Sequence, residues 1–350
     1  MRRSGAQLRR GWPACAVAAV VTLVAAVAPE LSTMPVGAVT DASLTDVGVA
    51  GGTWQAEAMR FDLLPGDPPG DGVEIATIER GGVDADHPSL AGAVRNGHHV
   101  DYWNLAVDEQ PTAVSAQNGV SDPAAHATGV ASLMVGQPSG AVPGIAPGAT
   151  VYPINIGDGR EDDMIRGIMW AVDAGVDVVN VSQVLGCSSI LVFSSCPGDV
   201  REATDYAERN GVVVVAAAGN NGGGDGCTGK TDADQWPAVL DTVISVGAYE
   251  PGGEVWQCTP RRADVDVLAP GVRLLLADVG GEHSIGEGTS FAAPLVSGLI
   301  AVILAERPDL NPAEIRRSLP NWLGADGRLD VPAALAAAGV LEPGEREHVR

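Results

Sequence analysis

Four short motifs carry the residue types that acyl transfer through a serine requires. Such chemistry needs a hydroxyl made nucleophilic by an imidazole, a carboxylate that orients the imidazole, and donors for the oxyanion. Ser290 lies in Gly288-Thr289-Ser290-Phe291-Ala292-Ala293-Pro294, at the expected start of an apolar helix just after a glycine. There the hydroxyl is exposed, and the free N–H groups of the first turn face developing negative charge. His126 opens another apolar helix in Ala125-His126-Ala127-Thr128-Gly129-Val130-Ala131. Asn220 ends the run Val212-Val213-Val214-Val215-Ala216-Ala217-Ala218-Gly219-Asn220, and Glu79 closes Val73-Glu74-Ile75-Ala76-Thr77-Ile78-Glu79. Each has a plain structural explanation taken alone: Ser290 as an N-cap, His126 as a structural or exposed histidine, Asn220 as a turn residue, Glu79 as a polar strand end. No such explanation covers all four in one chain, in an order that suits the chemistry.

The elements that must hold these residues follow from the hydrophobic pattern. Apolar runs at 73–78, 150–156, 176–182, 212–217, 243–248 and 265–268 read as strands. Between them lie helix-period segments at 125–134, 199–210, 290–305 and 312–319, the last capped by Asn311. A further helix has Ile165, Ile168, Met169 and Val172 on one face, with Asp162 or Asp163 as its cap. Strand and helix alternating in this way imply an α/β fold of three layers, with a mostly parallel central sheet covered on both faces. Ligands in such sheets bind beyond the carboxyl ends of the strands. The four candidate residues all fall at strand ends or helix starts.

From about Gly72 to Gly339 the chain resembles the subtilase family of subtilisin-like serine peptidases. The resemblance rests on GTSFAAP around Ser290 and AAAGN ending in Asn220. It is supported by Asp86-His87-Pro88, by Pro143-Gly144-Ile145-Ala146-Pro147 and by Leu268-Ala269-Pro270-Gly271. It implies an endopeptidase of subtilisin-like fold, with Ser290 as nucleophile, His126 as general base, Asn220 as side-chain oxyanion donor and no cofactor for catalysis. Structural Ca²⁺ is compatible with the family, but no ligand set can be located in the sequence.

Several positions depart from the family pattern. Ala127 and Gly129 replace the Gly and second His usual around the general base. At the carboxylate position the family has Asp, whereas this chain reads Glu79-Arg80-Gly81-Gly82-Val83 with one residue inserted. Glu79 is taken as the triad member, because the extra Gly can absorb its additional methylene; Asp84 and Asp86 are the rival carboxylates. Arg80 is expected to point to solvent, since adjacent strand residues face opposite ways. The substrate-lining Ser-Leu-Gly strand becomes Ser182-Gln183-Val184-Leu185-Gly186, with two extra residues. Gln235, in Gln235-Trp236-Pro237-Ala238, aligns where the family often has a glycine at the floor of the primary specificity pocket; there it either shortens the pocket and makes it polar, or its loop shifts and it points away. Ser182 and Gln235 are therefore the candidate substrate-binding residues.

The ends of the chain and its composition bear on location and partners. Arg2, Arg3, Arg9 and Arg10 precede an apolar run, Ala14 to Ala28, and Val36-Gly37-Ala38 suits signal peptidase. Residues 1–38 therefore read as a secretory signal, 39–70 as an extension laid over the domain, 71–341 as the peptidase domain and 342–350 as a charged tail. The short segment before the domain leaves too little chain for a folded propeptide, an arrangement similar to the mycosins. Those, however, usually carry a C-terminal membrane helix. Removal of residues 1–38 takes away four Arg and one Glu, leaving 17 basic and 43 acidic residues, a net charge of −26. Such a surface repels nucleic acid and anionic lipid. The expected partner is a protein or peptide substrate, met by a secreted monomer without a membrane anchor. Cys187, Cys196, Cys227 and Cys258 remain after Cys15 leaves with the leader. An even count in an exported chain implies two disulfides with three pairings open, of which neighbour pairing, Cys187–Cys196 and Cys227–Cys258, is expected. No HExxH or comparable spacing points to a catalytic metal.

Overall fold

The computed structural model describes residues 37–38, 54–95, 97–99, 108–110, 123–157, 159–186, 189–190, 193–194, 198–228, 234–262 and 264–341. The expected leader up to residue 36, the expected Cys187–Cys196 pair and residues 342–350 lie outside the described residues. The central sheet is built from β1 (Glu74–Glu79), β2 (Gly97–His99), β3 (Asp108–Gln110), β4 (Thr150–Asn155), β5 (Val178–Val181), β6 (Val213–Ala217), β7 (Val243–Tyr249) and β8 (Val267–Pro270). Their order across the sheet is β8-β7-β6-β5-β1-β4-β2-β3. All neighbours run parallel except β2 and β3, which pair antiparallel at the edge.

The period-2 alternation of the strands divides their side chains between two cores. Ile75, Val178, Val213 and Val215 enter one core, together with α1 (Pro123–Val135) and α4 (Thr289–Glu306). Ala76, Ile78, Val179, Val214 and Ala216 enter the other, with α2 (Glu161–Ala174) and α3 (Gly198–Arg209). The layers are thus helix, sheet and helix, and strands buried on both faces need the near-continuous valine runs observed here. The helix α4 is long and apolar enough to cross a membrane, yet it is almost wholly buried as the central helix across β5 to β8.

Some local expectations are corrected by the structure. The N-cap of α2 is Arg160, with no side-chain cap; Asp162 and Asp163 sit in the first turn instead, where their charge still complements the helix dipole. Ser290 is not a cap either. Gly288 occupies that position, with φ 148° and ψ 156°, a conformation that favours glycine, and Ser290 follows inside the first turn. Asn311 does cap the helix Pro312–Ser318, in a reciprocal capping box with Glu314.

The segment before the sheet is tied into the domain. Trp54 donates to the carbonyls of Val272 and Arg273, each at 3.2 Å, and stacks edge-on to Tyr249. Met59 is fully buried. Gly37–Ala38 pairs antiparallel with His283–Gly286, the strand that leads into the Ser290 turn. Cys227 and Cys258 are joined, with Cα atoms 5.2 Å apart.

Candidate active site

Strand order explains where the candidate residues meet. β1 lies between β5 and β4, so the chain leaves β1 in one direction across the sheet and works outward from β5 in the other. That switch point is where a crevice opens beyond the carboxyl ends of the strands. Glu79 ends β1, Ser182 follows β5, and Asn220 follows β6.

Alternation along β1 aims Thr77 and Glu79 toward the layer that holds α1 and α4. His126, in the first turn of α1, meets Glu79 there: Nδ1 lies 3.0 Å from Oε2. Glu79 is 0% exposed and the imidazole 15% exposed. Gly81 makes this approach possible. A Cβ on it would fall 2.3 Å from the carbonyl carbon of Pro123, so the turn after β1 presses directly on the start of α1. Thr128 fastens the same junction, accepting from the Asp84 N–H at 3.0 Å and donating to the Ala124 carbonyl at 2.7 Å.

An ionised carboxylate has no proton to give, so the 3.0 Å contact requires the proton to sit on His126 Nδ1. The other ring nitrogen is then an acceptor. Phe291, next to Ser290, lays its ring against the imidazole with centroids 5.1 Å apart, which brings the start of α4 to His126.

At the α4 end, Asn220 is held by Thr289. Its Oδ1 accepts from the Thr289 N–H at 3.0 Å and from the Thr289 hydroxyl at 2.9 Å. This places Nδ2 beside Gly288. A Cβ on Gly288 would fall 3.3 Å from Asn220 Nδ2 and 3.1 Å from Ser290 Oγ, so a glycine here keeps the space between amide and hydroxyl open.

Pro294 contributes in a way that the motif alone does not reveal. It lacks an N–H, so the carbonyl of Ser290, four residues earlier, has no helical donor. The Ser182 hydroxyl fills that role at 2.8 Å. Ser182 in turn accepts from Asn180 Nδ2 at 3.0 Å, and Asn180 Oδ1 accepts from the Ser297 hydroxyl at 2.9 Å. A buried polar network thus joins β5 to the nucleophile turn.

Of the rival carboxylates, Asp84 is committed elsewhere and Asp86 is exposed. Asp84 accepts from the Gly280 N–H at 2.7 Å and from the Asp86 N–H at 3.2 Å, bracing a turn on the far side of the loop. Arg80 faces away from Glu79, as alternation requires, but it is not in open solvent. It is half-buried, its side chain packs on Gly159, and Nε reaches the Gly157 carbonyl at 3.5 Å. Gln235 lies on the backbone just before Asn220; a Cβ on Gly219 would be 2.6 Å from its Cγ. Gln235–Trp236 pairs antiparallel with Leu185–Gly186. Among the described residues, no three His, Cys, Asp or Glu side chains converge as a metal site.

One site residue was missed by the sequence reading. Gln183 Nε2 donates to Glu79 Oε2 at 2.8 Å, the same oxygen that meets His126. The two residues inserted after Ser182 were its only signal.

The subtilase family profile matches residues 70–330. The chain belongs to the subtilase family. Subtilisin E of Bacillus subtilis (strain 168) is 31% identical over 278 residues, covering 76% of this chain and 66% of that protein. Fervidolysin of Fervidobacterium pennivorans is 33% identical over 303 residues, covering 77% of this chain and 40% of that one. Among solved structures, a mutant of the protease domain of PatA superposes with a TM-score of 0.65 at 32% identity, covering 79% of this chain and 98% of that one. The central parallel sheet and its helical layers are those of this subtilisin-like fold. The subtilase match spans Glu79, His126, Asn220 and Ser290.

Proposed function

We propose that this subtilase is a secreted serine endopeptidase that cleaves peptide bonds through an acyl-enzyme on Ser290. The observation that carries the reading is the contact of the buried Glu79 carboxylate with His126 Nδ1 at 3.0 Å. In this reading Ser290 Oγ attacks the carbonyl carbon of the substrate while its proton passes to His126 Nε2. The oxyanion is held by Asn220 Nδ2. Collapse of the tetrahedral species breaks the C–N bond, and the amine leaves with the proton from Nε2. Water then repeats the sequence on the acyl ester, and Ser290 is regenerated. Glu79 stays ionised throughout and stabilises the imidazolium. None of these steps calls for a metal or an organic cofactor; a structural Ca²⁺ would act on stability alone.

Export is supported by the leader pattern of residues 1–38 and by the Cys227–Cys258 pair, which suits an oxidising compartment. The strongly acidic surface fits a soluble monomer acting on peptide substrates. A second reading, a binding protein derived from a peptidase, is favoured by the departure from Asp at Glu79. A fluorophosphonate probe separates the two, since only an activated Ser290 reacts quickly. Absence of labelling in the folded, leader-free protein would favour the binding protein.

Asn220→Ala should slow turnover by about 10²–10³-fold with KM nearly unchanged, the loss known for this donor in subtilisin. Its amide acts on charge that develops only in the transition state. A neutral effect on kcat would place the oxyanion elsewhere.

In the same reading Gln235, which lies against Gly219, forms the floor of the primary pocket and makes it short and polar. Cleavage-site mapping on a whole proteome should therefore find small or polar residues just before the cut, and Gln235→Gly should extend the preference to larger ones. Cleavage by the wild-type protein mainly after Phe or Leu would contradict this assignment.

A further inference from the structure

We infer that Gln183 is a positioning residue for the Glu79–His126 pair, and that the insertion after Ser182 compensates for a glutamate where the family has an aspartate. The inference rests on the proposed function and deepens it.

Two departures from the family pattern, 104 residues apart, meet at one oxygen atom. β1 and β5 are parallel neighbours with Ile78 opposite Val181. The chain therefore leaves the sheet side by side at Glu79 and Ser182, and Gln183 is the next residue along. The extra methylene of Glu79 carries its carboxylate further from the strand than an aspartate would reach. The inserted Gln183 supplies a donor where that carboxylate ends.

The need for this donor follows from burial. A carboxylate without access to water must be hydrogen-bonded to remain ionised. Glu79 receives two hydrogen bonds, from His126 at 3.0 Å and Gln183 at 2.8 Å, both on Oε2. Its Oε1 has no partner among the described residues. The terminal torsion of a glutamate is soft, so a carboxylate anchored at one oxygen by His126 alone would rotate. A carboxylate only accepts, so the amide end of Gln183 must face it, and the side chain acts here as a donor. The adjacent Ser182 holds the Ser290 carbonyl at 2.8 Å, so one two-residue segment steadies both the carboxylate and the nucleophile turn.

The test compares wild type, Gln183→Met and Gln183→Leu in the leader-free protein. Methionine keeps the size of the side chain without the donor. Leucine removes the donor with a shorter apolar side chain, so the question stays open to measurement if one variant folds poorly. Both should lower kcat by about 10–100-fold with KM unchanged, the scale of a hydrogen bond to a charged group. The downfield proton resonance of His126 Nδ1 should move or broaden in both. In a Glu79→Asp background, where the carboxylate is withdrawn from Gln183, adding Gln183→Met should change kcat by less than about twofold. Wild-type kcat with an unmoved Nδ1 resonance would overturn the inference, as would a change confined to KM. If wild type itself fails to react with a fluorophosphonate, the proposed function fails. The Nδ1 resonance would still report whether Gln183 orders the pair.

Discussion

Ser290→Ala is expected to abolish fluorophosphonate labelling and to lower peptide turnover by about 10⁶-fold, the scale on which a subtilisin loses activity with its nucleophile. The fold should be unaffected. Ser290 lies in the first turn of α4 but is not its cap, so removal of Oγ costs the helix no capping bond. The hydrogen bond that ties this turn to β5 uses the Ser290 carbonyl, which alanine retains. Asn220 is held by Thr289 and keeps its place as well. Thermal unfolding of the variant should therefore match wild type. Labelling of the variant at the wild-type rate would remove Ser290 from the reaction.

Glu79→Gln should lower turnover by about 10⁴-fold, as loss of the corresponding charge does in other serine proteases. The substitution keeps the shape of the side chain and removes two functions. A glutamine can turn its N–H toward His126 Nδ1, which then becomes an acceptor and leaves the proton on Nε2, where the base is needed. It also withdraws the negative charge that would stabilise the imidazolium. Gln183 bonds the same atom as His126, so in this arrangement its amide must turn over to present its oxygen to the new N–H. Glu79→Asp should be impaired too. The shorter side chain cannot hold both the 3.0 Å contact with His126 and the 2.8 Å bond from Gln183 without movement of the strand end. Steady-state kinetics on both variants, with probe labelling as a second readout, decide the matter. Near-normal activity in Glu79→Gln would take the orienting carboxylate out of the mechanism. Asp84 could not readily replace it, since it is bound to Gly280 and Asp86.

Much of this protein was determined by its sequence alone. Valine-rich runs that must be buried on both faces, separated by helix-period segments, allow little except a parallel sheet between helices. The motifs around Ser290, Asn220 and His126 mark the candidate reacting groups, because each encodes its own local setting: a helix start, a strand end, a glycine. Parity along β1 even placed Arg80 on the face opposite Glu79. Strand order, however, is a property of the whole chain, and it decided what those residues touch. Because β5 lies beside β1, Gln183 reaches Glu79 from 104 residues away, and no local pattern records that meeting. Likewise, Pro294 reads as a helix irregularity until Ser182 is seen donating to the carbonyl it frees. Arg80 reads as a solvent residue until its packing against Gly159 and its contact with the Gly157 carbonyl are seen. Periodicity within a segment tells which face a side chain takes; only the packing of distant segments tells which donor waits on that face.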